Sequence, residues 1–392
     1  MLRAAQSPPR LTTLIVLTAL SVLSLNMFAP ALPSIADGFG ETDARMSLAL
    51  SGYFALTAVL QLIIGPLSDK IGRRPVMLTS VALFVLASAG CALAPTADIF
   101  LAARVAQAAI ISGGVLATAA VRDQVSGPEA TRLLGIIGTA MALGPMIGPF
   151  VGGLTDTLIG WRAVFWLYAA LGLLALWLCY TDMGETNRHA GRSIGAQLQL
   201  YPLLLGDKRF WAFAGCNALA VSNFHLFILG APLLGAAFAL PTAWIGIAMG
   251  ATPTGYFLGN IVTTRMAHRL RGAQLILAGR VVTALGMAAL VIAALMGAAP
   301  AVYFVLMITI GIGNGLTLPS AYAGAMSVKP ELAGSAAGLT GAMNVGVGAV
   351  VTGLGGLILP STDITLSLPY ALLFLSSLGV VAALITLRMT QD

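Results

Sequence analysis

Charge is what this chain has least of. Only 9% of its 392 residues are Asp, Glu, Lys or Arg, against about 25% in soluble domains. That is too little polar side chain to cover a water-facing surface. Histidine and cysteine are nearly as scarce, with three of each. Cys91, Cys179 and Cys216 fall in apolar runs without metal-ligand spacing, so they read as small buried hydrophobes rather than disulfides or ligands. His189, His225 and His268 are scattered, which leaves a membrane-embedded enzyme without the His/Asp/Glu cluster or nucleophile–base pair it would need. No Gly-Lys-Ser/Thr phosphate loop occurs, and this argues against direct ATP drive. No cofactor and no metal are implied. The net charge of +6 raises nucleic acid as a partner, but the basic residues are spread over many short loops rather than gathered on one face.

What the chain has instead is hydrophobic length. Hydrophobic residues make up 58% of it and the mean hydropathy is +0.94. Apolar stretches of roughly 20 residues can cross a bilayer as helices. Twelve are read, at 11–35, 46–68, 75–95, 98–122, 131–156, 162–181, 210–236, 242–264, 273–298, 300–327, 332–358 and 366–388. The first comes after Arg3 and Arg10 as a signal peptide would. It is longer than a signal core and another span comes at once, so it is expected to be retained.

The charges then give an orientation. With the N-terminus in the cytoplasm, sixteen Lys and Arg fall in cytoplasmic segments, only Arg45 and Arg162 fall outside, and Arg104 and Arg280 lie within spans. The positive-inside rule therefore puts both termini in the cytoplasm. The longest polar segment, 182–209, divides the chain into a six-helix bundle (1–181), a linker carrying a short amphipathic helix from Ile194 to Leu204, and a second bundle (210–392). The loop at 264–275, "TRMAHRLRGAQL", occupies the place in the second half that 65–77 holds in the first. It keeps the basic residues and loses the acid and the proline. The fold expected is an all-α membrane protein, twelve transmembrane helices in two pseudo-symmetric six-helix bundles, with substrate bound where the halves meet.

The stretch 65–77, "GPLSDKIGRRPVM", concentrates charge between two apolar runs. Gly65, Leu67, Asp69, Lys70, Gly72, Arg73 and Arg74 match the pattern Gly-x-Leu-Ala-Asp-(Arg/Lys)-x-Gly-(Arg/Lys)-(Arg/Lys), with Ser68 for Ala. The stretch resembles the loop between helices two and three of the major facilitator superfamily. The resemblance implies a latch: Asp69 faces the positive N-terminal end of helix eleven near Glu331–Ser335, and Arg73 pairs with Asp123 at the end of helix four. The bland reading is a solvated basic loop. "LGPMIGPFVGG" (143–153) resembles the antiporter helix of the same superfamily through Gly144, Pro145, Gly148, Gly152 and Gly153, although small residues also serve ordinary helix packing. "RVAQA" (104–108) resembles its Arg-x-x-Gln-Gly motif, with Ala108 in place of Gly. Arg104 and Gln107 share a helix face, and an arginine at that depth needs a wet cavity, a partner or a route to the interface.

"LNMFAPALPSIA" (25–36), "VRDQ" (121–124), "GWRAVF" (160–165), "GIGNG" (311–315) and "AGSAAGL" (333–339) resemble the bicyclomycin- and chloramphenicol-resistance branch of twelve-span drug:proton antiporters. That resemblance implies a bacterial inner-membrane exporter of small amphipathic molecules, a monomer that exchanges substrate for protons. Import or exchange of a metabolite such as a sugar or organic acid is the alternative. The chain departs from the branch at Asn26, where an acid is usual, and none of its fourteen acidic residues lies near a bilayer midplane. His225 is then the deep titratable group that could carry a proton, or else a packing residue. Asn26, Arg104, Gln107, Asn217, Tyr256 and Asn314 are the candidates for the substrate cavity, since amides and phenols orient ligands in apolar pockets. Arg280, two turns into helix nine, is expected to snorkel to the interface.

Overall fold

The computed structural model describes residues 8–125, 127–187, 201–266, 269–329 and 332–390. It is helical, because a chain in hydrocarbon must satisfy each backbone N–H and C=O within its own segment. Twelve helical units succeed one another. The first six are α1 (Leu11–Phe39), α2 (Leu48–Ile71), α3 (Arg73–Leu93), α4 (Ala97–Gln124), α5 (Gly127–Ile159) and α6 (Trp161–Asp182). After the connecting segment 183–207 come α7 (Lys208–Ala237), α8 (Thr242–Met249 and Ala251–Met266), α9 (Gly272–Leu295), α10 (Pro300–Ser327), α11 (Ala333–Ile358) and α12 (Ile364–Met389). Among the described residues, eleven of these units are long and apolar enough to cross a membrane. The eighth is not continuous, which corrects the reading of 242–264 as a single helix. The amphipathic helix expected at 194–204 falls mostly outside the described residues; Tyr201–Leu205 is helical.

Two of the interruptions have a proline as their cause. A proline ring clashes with the carbonyl four residues back and has no N–H to give. The first part of α1 ends at Asn26, four residues before Pro30, and resumes through a 3-10 turn at Ala29–Ala31. In α8 the break comes after Met249, four residues before Pro253. The third interruption, a 3-10 stretch at Gln107–Ile111 within α4, contains no proline. Such mid-helix stretches often mark functional hinges.

Glycine stripes bring the helices close. Along α11, a Cβ at Gly341, Gly346 or Gly353 would meet Gln61, Ala58 or Ser51 of α2, and one at Gly356 would meet Ser47 just before it, so the two helices run together over most of their length. At the end of the bundle opposite the 65–77 stretch, α5 meets α8. Thr157 Oγ1 accepts a hydrogen bond from the Ala243 N–H (3.0 Å), and a Cβ on Gly153 would come within 2.5 Å of the Thr242 carbonyl. Beside this contact Ser34 Oγ donates to the buried Asp156 carboxylate at 2.7 Å. Large apolar side chains such as Leu86, Trp177, Phe257 and Phe374 point outward, half or more exposed, as a lipid-facing surface requires. Cys91, Cys179 and Cys216 are free thiols in the interior.

Candidate functional site

Three clusters of polar side chains stand out against this apolar background. The first lies in the middle of the first six helices. Arg104, fully buried on α4, donates through one Nη to Gln107 Oε1 (2.8 Å) and through the other to the Ser24 carbonyl of α1 (2.8 Å). Gln107 Nε2 in turn donates to Ser88 Oγ of α3 at 2.7 Å. The guanidinium is sandwiched by two rings, 4.0 Å from the Phe28 centroid and 4.1 Å from that of Tyr53. An arginine at the helix centre costs about 3 kcal/mol on insertion scales. Two hydrogen bonds to a charged group, at roughly 1.5–3 kcal/mol each, and two ring faces offset that without any carboxylate.

The break in α1 is what makes this possible. It turns Phe28 onto the guanidinium, while the Ser24 carbonyl accepts from both Arg104 and, at 3.4 Å, the Tyr168 hydroxyl of α6. Asn26 lies two residues away and bonds to its own helix, Nδ2 to Val22 O at 3.0 Å. A backbone carbonyl carries no sequence signal, so Ser24 is invisible to a linear reading. The same holds for Tyr53, Ser88 and Tyr168, whose hydroxyls look like those of ordinary packing residues.

The second cluster lies in the last six helices. Arg280 is fully buried, with Nε donating to Thr317 Oγ1 (3.0 Å) and an Nη to Asn314 Oδ1 (2.8 Å), both on α10. This corrects the expectation of snorkelling. Glycines at 279 and 313 let α9 and α10 approach backbone to backbone, and Gly379 of α12 leaves room for the arginine stem. Acceptors are therefore within reach in the interior, and the side chain has no need of the interface. Asn217, on α7, is buried with its Oδ1 unpartnered, and Tyr256 sits half-buried on α8 beside Gly311 and Gly315 of α10. The six cavity candidates thus fall in two groups rather than one. Arg104, Gln107 and Asn26 belong to the first half, and Asn217, Tyr256 and Asn314 to the second. His225 of α7 lies between the halves: its ring is edge-on to Phe54 of α2 (4.6 Å), against Gly348 of α11, and its Nδ1 is buried without a partner.

The third cluster is the 65–77 stretch. Arg73 is buried and pairs with Asp69 (2.6 Å) and Asp123 (3.2 Å), and it also donates to Ser68 Oγ. Thr186 Oγ1 donates to Asp123 as well, at 3.1 Å. Glu185, just beyond α6, accepts from the backbone N–H groups of Arg73 (2.9 Å) and Arg74 (3.2 Å) and so caps α3. Gly72 has φ +104°, and a Cβ there would run into the Glu185 carboxylate; the glycine is required twice over. Gly65 has open space at its Cβ. Arg74 turns the other way, donating to the Tyr180 carbonyl at 3.0 Å. The described partners of Asp69 lie on α3 and the segment after α6, while Glu331 falls outside the described residues. Glu185 gives no signal in the sequence, where it looks like one more linker acid.

On α5, a Cβ at Gly144 would come within 2.6 Å of Val22, at Gly148 within 3.3 Å of Leu23, and at Gly152 onto the Met27 carbonyl. These glycines, four residues apart, form one face laid on α1, with Pro145 and Pro149 inside the helix.

Comparison with known proteins agrees with this architecture. The chain is 35% identical over 259 residues to a "Chloramphenicol resistance protein" of Pseudomonas aeruginosa, an alignment covering 62% of this chain and 59% of that protein. It is 28% identical over 361 residues to the "Uncharacterized MFS-type transporter YdgK" of Bacillus subtilis (87% of each). It is 36% identical over 169 residues to the "Multidrug resistance protein MdtL" of Shewanella oneidensis (42% of each). The matched part is thus less than two thirds of the length of the Pseudomonas and Shewanella relatives. Among solved structures, a D-xylose–proton symporter superposes with a TM-score of 0.79 at 14% identity, covering 96% of each chain. The nucleoside transporter NupG superposes at 0.75 and 16%, covering 97% of this chain and 99% of its own; at such identities the likeness is one of fold. The model of the Major Facilitator Superfamily matches residues 14–353, and the chain is a multi-pass membrane transporter of that superfamily.

Proposed function

We propose that this transporter exports small amphipathic molecules, neutral or weakly acidic, across a bacterial inner membrane by proton antiport with alternating access. The observation that carries the reading is the α5 face, where Gly144, Gly148 and Gly152 lie directly against α1, as the antiporter helix that this stretch resembles would. Two relatives whose names speak of chloramphenicol and multidrug resistance support it. The likeness to the D-xylose symporter is of fold alone and brings no substrate with it.

The two bundles, 1–181 and 210–392, rock about substrate held between them, the linker spanning them on the cytoplasmic side with both termini. The 65–77 end is cytoplasmic by the distribution of basic residues, so the α5–α8 contact at Gly153, Thr157 and Ala243 seals the external side. Arg73, exchanging between Asp69 and Asp123, biases the equilibrium at the other end. Arg104, Gln107 and Asn26 face substrate from one half, and Asn217, Tyr256 and Asn314 from the other. Among the described residues none of these six neighbours is an acid, so a permanent cation entering this space would be desolvated without a compensating charge. A neutral or weakly acidic molecule bearing acceptors fits better. His225, at the junction of α2, α7 and α11, is placed to link a proton to the movement of the halves. The transporter works as a monomer.

The test is a substrate screen in an efflux-deficient host, then transport in proteoliposomes with an imposed pH gradient. Export of at least one neutral amphipath that stops when the gradient is collapsed is expected. Uptake in the opposite direction down the same gradient would make the protein an importer.

A further inference from the structure

The second buried arginine, Arg280, is not among the residues assigned to that cycle, and its surroundings are specific. Arg280 carries a positive charge in the interior of the last six helices, where among the described residues it forms no ion pair. One Nη is walled in without an acceptor. A charge left this way is expensive, and a transporter that needed only packing would carry a leucine or methionine here. The other Nη and Nε reach the two polar side chains of α10 that share its inner face, Asn314 and Thr317.

The guanidinium dictates how the Asn314 amide is turned. It has five donors and no acceptor, so the oxygen of the amide must face Arg280 and its nitrogen must face away. The amide is held at 2.8 Å by a charged group, and rotation about its last bond is blocked. Asn314 Nδ2 makes no hydrogen bond among the described residues and, unlike the free Nη of Arg280, it is not walled in. The glycines on either side, Gly313 against α9 and Gly315 against α8, hold the α10 backbone in place, so the donor direction is set by the fold.

We propose that Arg280 is a positioning residue that makes Asn314 an obligate hydrogen-bond donor to substrate, so that the second half selects molecules presenting a carbonyl, nitro or carboxylate oxygen. This rests on the reading of Asn314 as part of the substrate cavity. It goes beyond that reading by assigning the direction of the bond and the group that sets it. Arg280 itself does not touch substrate.

The experiment uses purified transporter in proteoliposomes with chloramphenicol as a neutral, acceptor-bearing probe, and compares wild type with Arg280→Met, Arg280→Lys, Asn314→Asp and Asn314→Leu. Arg280→Met removes a buried charge and should leave the thermal midpoint at or above that of wild type, yet raise KM about two- to threefold, because an amide free to turn presents its donor only part of the time. Arg280→Lys, which still donates to Oδ1, should recover most of the affinity. Asn314→Asp pairs with Arg280 and should raise the midpoint while losing both donors, so KM rises further, at least tenfold. Asn314→Leu should lose affinity and stability together. Unchanged KM in Arg280→Met and Asn314→Asp, with wild-type transport intact, overturns the proposal and leaves the exporter reading standing. A parallel fall of stability and transport in Arg280→Met overturns it as well, by making the arginine structural. Absence of chloramphenicol transport by wild type, with any other acceptor-bearing amphipath also refused, overturns both.

Discussion

At the scale of single residues, what distinguishes this transporter is the way it buries positive charge without negative partners. Arg104 gives its two Nη groups to an amide and a carbonyl and lies between two aromatic faces, with only its Nε left buried and unpartnered, a geometry that needs a planar fork rather than a point charge. Arg104→Lys should therefore cost transport at least tenfold, about 1.4 kcal/mol, although the charge is kept. The check is initial rates at matched expression, and a lysine variant at wild-type rate would show that charge alone is needed. Glu185 gives a second prediction at this scale. Its carboxylate caps α3 through two backbone N–H groups, and removing such a cap costs about 1 kcal/mol. Glu185→Ala should lower the thermal midpoint by about one degree. Gly72→Ala should lower it further, because both the positive φ and the collision with Glu185 oppose a side chain. In the double variant only the collision is relieved, so the loss should be less than the sum. Additive losses would mean that the two positions do not meet. Arg104 and Gln107 are legible in the sequence because an arginine in a greasy run demands an explanation. Glu185 is not, because an acid after a helix end looks the same whether it caps a neighbour or faces water.

At the scale of helices, the apolar runs are enough to place all twelve units, yet they do not show where a unit breaks. Hydropathy is blind to a missing N–H, so the interruptions caused by Pro30 and Pro253 do not lower the apolar signal, and 242–264 reads as continuous. The sharper consequence concerns α5, whose glycines are not equivalent. Gly152 lies on the Met27 carbonyl, whereas a Cβ at Gly138 meets nothing within 4 Å. Gly152→Leu should abolish transport or make the membrane leaky, and Gly148→Leu should be nearly as severe, since large side chains cannot occupy such interfaces. Gly138→Leu should be tolerated within a factor of about two, well under the 1.4 kcal/mol that a tenfold change represents. Equal damage at 138 and 152 would mean that α5 responds to helix propensity rather than to its contact with α1. The glycine spacing announces a packed face; which helix it meets, and that α8 meets the remaining glycine at 153, requires the tertiary structure.

For the whole molecule, the proposed cycle depends on closure at the α5–α8 end, the external end in the proposed orientation. The Ala243 N–H donates to Thr157 Oγ1 at 3.0 Å, which brings the two backbones within reach of a disulfide. The pair Thr157→Cys with Ala243→Cys should cross-link under mild oxidation, stop transport, and recover it on reduction. Cross-linking that leaves transport untouched would show that these ends never part. The basic excess behind the proposed orientation, and the run of apolar segments, are visible from sequence because they are sums over many residues; the contacts that hold one conformation are single and are not. The central claim is that a cavity lined by Arg104 and by amides, without a carboxylate, exports neutral or weakly acidic amphipaths in exchange for protons. Its most direct test is paired export of chloramphenicol and tetraphenylphosphonium by wild type and Asn26→Asp in matched proteoliposomes under an imposed pH gradient. The account predicts gradient-dependent export of chloramphenicol by wild type, little export of the cation, and a shift toward the cation in Asn26→Asp. Efficient export of tetraphenylphosphonium by wild type would contradict it.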